Sequence, residues 1–144
     1  MASVIRGSDN FDSVAPSFGR VVRSAGSITT TSTSLVDVTG ATVTITTGAN
    51  PVAYGCIQTV KNSTLGQAHY YNINIDGALE LGNNGMVISQ EVAAYEQNGS
   101  FSGQSAALSA GSHTIKEQFR VGGGTAVIEA SANVKHQFYV REIK

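Results

Sequence analysis

Asn72-Ile73-Asn74-Ile75-Asp76-Gly77 comes closest in this sequence to a metal-binding pattern. Oxygen-bearing side chains stand at its first, third and fifth positions and glycine at the sixth, as at the start of a calcium loop. The twelfth position, where a bidentate glutamate belongs, is Asn83, and Ile73 and Ile75 give the segment the alternation of a strand. A β-hairpin turning at Asp76-Gly77 explains the same residues. His69, His113 and His136 form a metal triad only if the fold gathers them, since no two are close in sequence and each stands near a strand start. No metal site and no cofactor is expected.

Acid–base or nucleophilic chemistry finds little footing. Serines are plentiful, but no Gly-x-Ser-x-Gly elbow marks one as a nucleophile. A carboxylate pair for sugar cleavage would have to come from Glu80, Glu91, Glu96, Glu117 or Glu129. Glu117 alone clearly shares a strand face with core residues, beside His113 and Phe119, which predicts a buried polar contact or a subunit contact. Gly122-Gly123-Gly124 lacks the Lys-Ser/Thr of a phosphate loop and reads as a hairpin connection. No enzyme activity is expected.

The elements that position these residues are strands. From Leu108 to Ile143 three follow one another. In the first, His113, Ile115, Glu117, Phe119 and Val121 share one side, and Thr114, Lys116, Gln118 and Arg120 the other. The second sets Ala126, Ile128 and Ala130 against Thr125, Val127 and Glu129; the third sets Phe138 and Val140 against Gln137, Tyr139 and Arg141. Upstream, Leu35–Val38 and Ala41–Thr47 read as a hairpin turning at Thr39-Gly40. Val52 to Asn62 reads as one strand with Val52, Tyr54, Cys56 and Val60 on one face and Ala53, Ile57 and Thr59 on the other. Both faces are largely apolar, so this strand is expected at the centre, buried on each side. Met86 to Tyr95 favours a strand over a helix through its β-branched residues and Gly-rich flank. About nine or ten short strands, spaced about 8 to 12 residues apart, predict an all-β antiparallel sandwich or barrel.

Composition narrows the partners. At 144 residues the chain fits one domain. Charged residues make up 13%, against about 25% in typical chains, so uncharged polar residues cover its surface. The net charge of −1 offers no footprint for nucleic acid and no polybasic membrane patch. No stretch approaches the roughly 20 apolar residues of a membrane span, and the first residues lack the pattern of a secretory signal, so synthesis in a cytoplasm is expected. The tripeptides at Asn62 and Asn98 then match the glycosylation pattern by chance. Cys56, the single cysteine, rules out an internal disulfide and reads as a small core residue.

Residues 1–19 stand apart as an extended N-terminal arm, with Val4, Ile5, Phe11 and Phe18 scattered among polar residues and no sustained period; residues 20–144 form the sandwich domain. Disordered termini carry few aromatics, which favours a docked arm.

Three stretches resemble the small jelly-roll domains of tailed-bacteriophage structural proteins, found in capsid decoration proteins, head fibres and tail-fibre heads. They are Thr33 to Ile45, Ile73-Asn-Ile-Asp-Gly77, and most specifically Leu108 to Ala126, where a Leu-x-x-Gly-x-His-x-hydrophobic strand leads into a Gly-rich turn and a Thr-Ala strand. Ser8 to Asp12 also looks like the leader of some phage tail proteins. The resemblance implies a jelly-roll-like, trimeric β-sandwich without enzyme activity, carried on the virion and made in the host cytoplasm. Its first implied role is a capsid decoration or cement protein, a homotrimer bound to the major capsid protein through Val4, Ile5, Arg6, Phe11 and Phe18. Glu117, Phe119 and Phe138 are then candidates for the subunit interface. The second implied role is a tail-fibre or head-fibre tip that binds a host receptor, for which Tyr54, Tyr70, Tyr71 and Tyr95 would form an exposed aromatic cluster.

Overall fold

Alternating apolar and polar residues give strands with one covered face, and such strands are stable only when two layers close over one another. The computed structural model describes residues 16–90 and 92–144, and every regular element among them is a β-strand. One layer contains β1 (Phe18–Arg23), β2 (Ile28–Thr30), β4 (Val52–Ile57), β5 (Thr59–Asn62), β9 (Gln97–Asn98), β10 (Phe101–Gln104), β12 (Ala126–Glu129) and β13 (His136–Glu142). Its two four-stranded ladders, β1-β13-β4-β10 and β2-β12-β5-β9, are two halves of one sheet: β4 runs into β5 across Gln58, and β13 pairs with β4 just as β12 pairs with β5. The other layer is β3 (Val36–Gly48), β11 (Ala110–Val121) and β6 (Ala68–Ile75), with β7 (Ala78–Leu79) and β8 (Met86–Ser89) both on the far side of β6.

Counting each interrupted strand once, and β7 with β8, the first layer runs first-eighth-third-sixth and the second runs second-seventh-fourth-fifth. All pairings are antiparallel. This is the two-Greek-key wrapping of a jelly roll. The core lies between the layers, with Phe119 and Ile115 of β11 facing Phe138 and Val140 of β13, all nearly or fully covered. The expected alternation of these strands and the hairpin at Asp76-Gly77 are present.

Three local expectations change. The hairpin at Thr39-Gly40 is instead a continuous strand, β3, because β11 is long enough to pair along both halves. Its two halves meet in a bulge: Thr42 pairs with Lys116 and Asp37 with Gln118, which leaves Val38 to Ala41 opposite Glu117 alone. Gly40 there has φ +81°, in the left-handed region. The expected strand Val52–Asn62 breaks at Gln58, whose N–H donates to Ser100 Oγ and whose side-chain amide donates to the Gly99 carbonyl, both at 3.0 Å. The strand from Met86 ends at Ser89, where buried Gln90 turns the chain into a loop. The boundary of the arm also shifts, since β1 begins at Phe18 and Ser17 is already bonded to Glu142.

Gly40→Ala adds only left-handed strain, since nothing lies near its Cβ, and should cost about 1–2 kcal/mol of unfolding free energy. Gly85→Ala combines the same strain, at φ +60°, with a collision against the Tyr71 carbonyl. Urea denaturation should show the larger loss at Gly85; equal losses would contradict this account.

Candidate functional site

The stretch with the calcium-like pattern uses its oxygens inside the fold. Asn72 is fully covered: its carbonyl oxygen accepts from the N–H groups of Ile73 (2.8 Å) and Leu81 (3.2 Å), and its amide donates to Gly82. Asn74 accepts from the Gly77 N–H at 2.9 Å, which closes the turn. Asp76 accepts from the Thr114 N–H at 2.8 Å and from His113 Nδ1 at 2.6 Å. These side chains therefore build a hairpin and tie it to β11.

The three histidines have separate partners. His113 Nδ1 lies 2.6 Å from the Asp76 carboxylate and Nε2 2.8 Å from the Ser109 carbonyl, so both nitrogens face acceptors, an arrangement that favours the protonated ring. The hydrogen bond that His113 donates to Asp76 raises the pKa of His113, and the same bond lowers that of Asp76. His69 shares a 2.9 Å hydrogen bond with the Tyr71 hydroxyl, and its Nε2 has no partner among the described residues. Burial lowers its pKa from 6.5 to about 4, so it is neutral at pH 7.

His136 and Glu117 form a buried pair. Nε2 of His136 lies 2.7 Å from Glu117 Oε2, and their side chains are 2% and 0% exposed. β11 and β13 belong to opposite layers, so this pair bridges the sandwich across its middle. Glu117 Oε1 receives no N–H or O–H from the described residues. The Cys56 thiol is near: burial first, then the Glu117 charge and a hydrogen bond to it, push the thiol well up. Burial and then the Glu117 charge likewise raise Tyr71. A small cavity of about 160 Å³, lined by Val21, Val22, Arg23, Thr39, Gly40 and His136, opens where β3 bulges. The sequence placed Glu117 on the buried face but could not name its partner, which is His136 instead of the neighbouring His113.

Glu117, Phe119 and Phe138 are 0%, 1% and 0% exposed within the single chain. Their own chain covers these side chains, so they have no surface left for a subunit interface, and that expectation is corrected. Their inward alternation is a core signal that sequence alone does not separate from an interface. Val4, Ile5, Arg6 and Phe11 lie outside the described residues, as does Glu91. Phe18 is 60% exposed on β1. The aromatic cluster does not form: Tyr54 and Tyr71 are buried, Tyr70 lies under Arg120 at 3.6 Å, and Tyr95 stands exposed on a loop. Among the other carboxylates, Glu129 pairs with Lys61 and accepts from Ser27 Oγ at 2.7 Å.

The outer faces of the two layers differ in chemistry. On the β3-β11-β6 layer, Thr44 stands beside Thr114, and Lys116 and Gln118 both bind Asp37 at 2.7 Å, while Arg120 covers Tyr70. Polar groups there are paired with one another. On the β1-β13-β4-β10 face, Arg20, Tyr139 and Gly55 form one row, and Val22, Gln137 and Ile57 the next. Val22 and Ile57 are exposed, and the Tyr139 ring lies across Gly55, where any Cβ would strike it. Arg20 and Arg141 have no carboxylate partner among the described residues, and this face carries no acid. The sequence held a signal for this surface. Its apolar second face on β4 predicted burial on both sides, yet the single chain leaves that face bare.

Neither a protein-family model nor a curated protein matches the sequence. Among solved structures, the fold is similar to that of T=1 particles derived from infectious bursal virus, with a TM-score of 0.50 and 10% identity over 88% of this chain and 36% of that one. It is equally similar to the infectious bursal disease virus VP2 subviral particle, with a TM-score of 0.50 and 10% identity over 89% of this chain and 38% of that one. The chain therefore spans little more than a third of those proteins, and the likeness is one of fold, a jelly roll used in viral capsids.

Replacing His136 with alanine leaves Glu117 buried without its partner and should cost about 3–5 kcal/mol. The joint change Glu117→Leu/His136→Phe should recover most of that loss in urea denaturation; an equally unstable double variant would sink the pairing account. The histidines also set opposite pH dependences. His69 has a lowered pKa, so the unfolded chain takes up its proton first, and stability falls as pH drops from 6.5 towards about 4. His113 has a raised pKa, so its contribution is complete below 6.5 and is lost as pH rises through its folded value. His69→Gln should flatten the acid limb of the urea midpoint against pH, and an unchanged slope would place the proton uptake elsewhere.

Proposed function

We infer that this chain is a virion structural protein, and specifically a decoration or cement protein of a tailed bacteriophage, bound as a homotrimer to the outer capsid surface. The observation that carries the reading is a jelly-roll body, of a fold used in viral capsids, whose outer sheet face is apolar, cationic and unpaired beside the entry of its N-terminal segment. Such a body offers surfaces for assembly, and its polar buried groups are joined in structural contacts. In this reading the major capsid protein is the partner, and residues Val4, Ile5, Arg6 and Phe11 grip it, with Phe18 at the root of the arm. Each apolar side chain, if fully covered, contributes roughly 1.5–3 kcal/mol. Arms extended from one trimer raise each other's effective concentration, so weak single contacts sum to firm attachment. A fibre tip with an aromatic receptor site has less support, because the tyrosines are dispersed.

The test removes residues 1–15 and keeps Pro16 and Ser17, because the Ser17 N–H is bonded to Glu142 and its hydroxyl to the Thr46 carbonyl. The shortened protein should melt like the full chain and fail to co-sediment with capsids of the phage that encodes it. Retained binding would overturn the role of the arm.

A further inference from the structure

The loop after β8 has chemistry opposite to that of the bare sheet face. Val92 and Tyr95 are 58% and 65% exposed, and exposed Glu96 has no ion-pair partner among the described residues. The loop is nevertheless held in place from beneath. Gln90, 1% exposed, accepts the Asn62 N–H at 2.8 Å and donates to the carbonyls of Val92 and Tyr95, while the Ala94 N–H donates to the Asn62 carbonyl at 2.8 Å. An exposed valine and tyrosine on a fixed loop are already ordered, which lowers the entropy cost of binding. Tyrosine is a common interface anchor.

We propose that the Val92–Glu96 loop of one copy seats on the outer face of β1-β13-β4-β10 of a second copy, with Tyr95 on the apolar strip of Val22, Ile57 and Tyr139 and Glu96 against Arg20 and Arg141. Charge complementarity selects this occupant. Among the described residues the face holds two cations without a carboxylate partner and no acid, so two such faces repel one another, whereas the loop brings a carboxylate together with an apolar anchor. Loop and face adjoin, with Glu96 and Ile57 lining one pocket of the same chain, and each copy gives one loop and accepts another, which a head-to-tail arrangement repeats from copy to copy. A contact of that kind closes into a ring when its rotation permits, as a trimer requires. It also covers the second apolar face of β4, whose residues Ala53 and Ile57 otherwise meet solvent. The proposal takes only self-association from the reading above and none of its capsid attachment.

The test is the mass of the full-length chain by light scattering after gel filtration, without capsids present. The wild type should run as a trimer. Arg20→Glu/Arg141→Glu on the face, and separately Tyr95→Ala/Glu96→Arg on the loop, should each reduce it to the single-chain mass of 14.9 kDa with unchanged melting. Combining Arg20→Glu/Arg141→Glu with Glu96→Arg exchanges the charges and should restore assembly. Any wild-type assembly that both variants abolish and the exchange restores supports the docking. A monomeric wild type, a mass that either variant leaves intact, or an exchange that restores nothing overturns it. Failure to bind capsids with the assembly intact would count against the capsid reading and leave this contact standing.

Discussion

Glu117 and His136 meet at 2.7 Å between the central strands of the two layers, both side chains covered by the chain itself. Apolar packing across the layers is non-directional and tolerates small slides. A buried carboxylate–imidazole contact does not, because any slide strands a polar group in the core. The neighbouring structure is arranged around this pair. β3 bulges away opposite Glu117, Cys56 and Tyr71 feel the carboxylate, and Tyr71 in turn holds His69. The result is a polar seam through an otherwise apolar core.

With its polar groups joined inside, the fold leaves its distinctive chemistry on the surface, and unevenly. The β3-β11-β6 face satisfies its own charges, through Lys116 with Asp37 and Arg120 over Tyr70. Exposed pairs of that kind add little to stability, but they engage Lys116, Gln118 and Arg120 within the chain. On the β1-β13-β4-β10 face Arg20 and Arg141 have no carboxylate partner among the described residues and stand around exposed apolar side chains. A fold by itself does not fix function, so an assembly role rests on this asymmetry more than on the jelly roll. In the proposed reading the arm is directed to the capsid and the sheet face to copies of the same chain.

Much of the architecture was legible in the residues. The alternation of β11, β12 and β13 placed the inward side chains it named correctly, though not His136 and Glu142 at the ends of β13, because a period of two reports directly which face is covered. The Asp76-Gly77 hairpin was legible for the same local reason. Thr39-Gly40 misled, since the residues of a turn and of a bulge are alike, and only the length of β11 on the other side decides between them. Gln58 misled in the opposite sense: nothing local marks the break between β4 and β5, which depends on the Gly99-Ser100 turn meeting it.

The sequence by itself therefore determined the class of fold and the inward face of strands such as β11 and β12, since these follow from local period and residue type. Tertiary structure decided which buried groups meet and which surfaces stay unpaired. Glu117 found His136 instead of His113, and Phe119 and Phe138 proved to be core instead of interface. Both outcomes depend on strands far apart in the chain being brought face to face, and residue spacing carries no record of that.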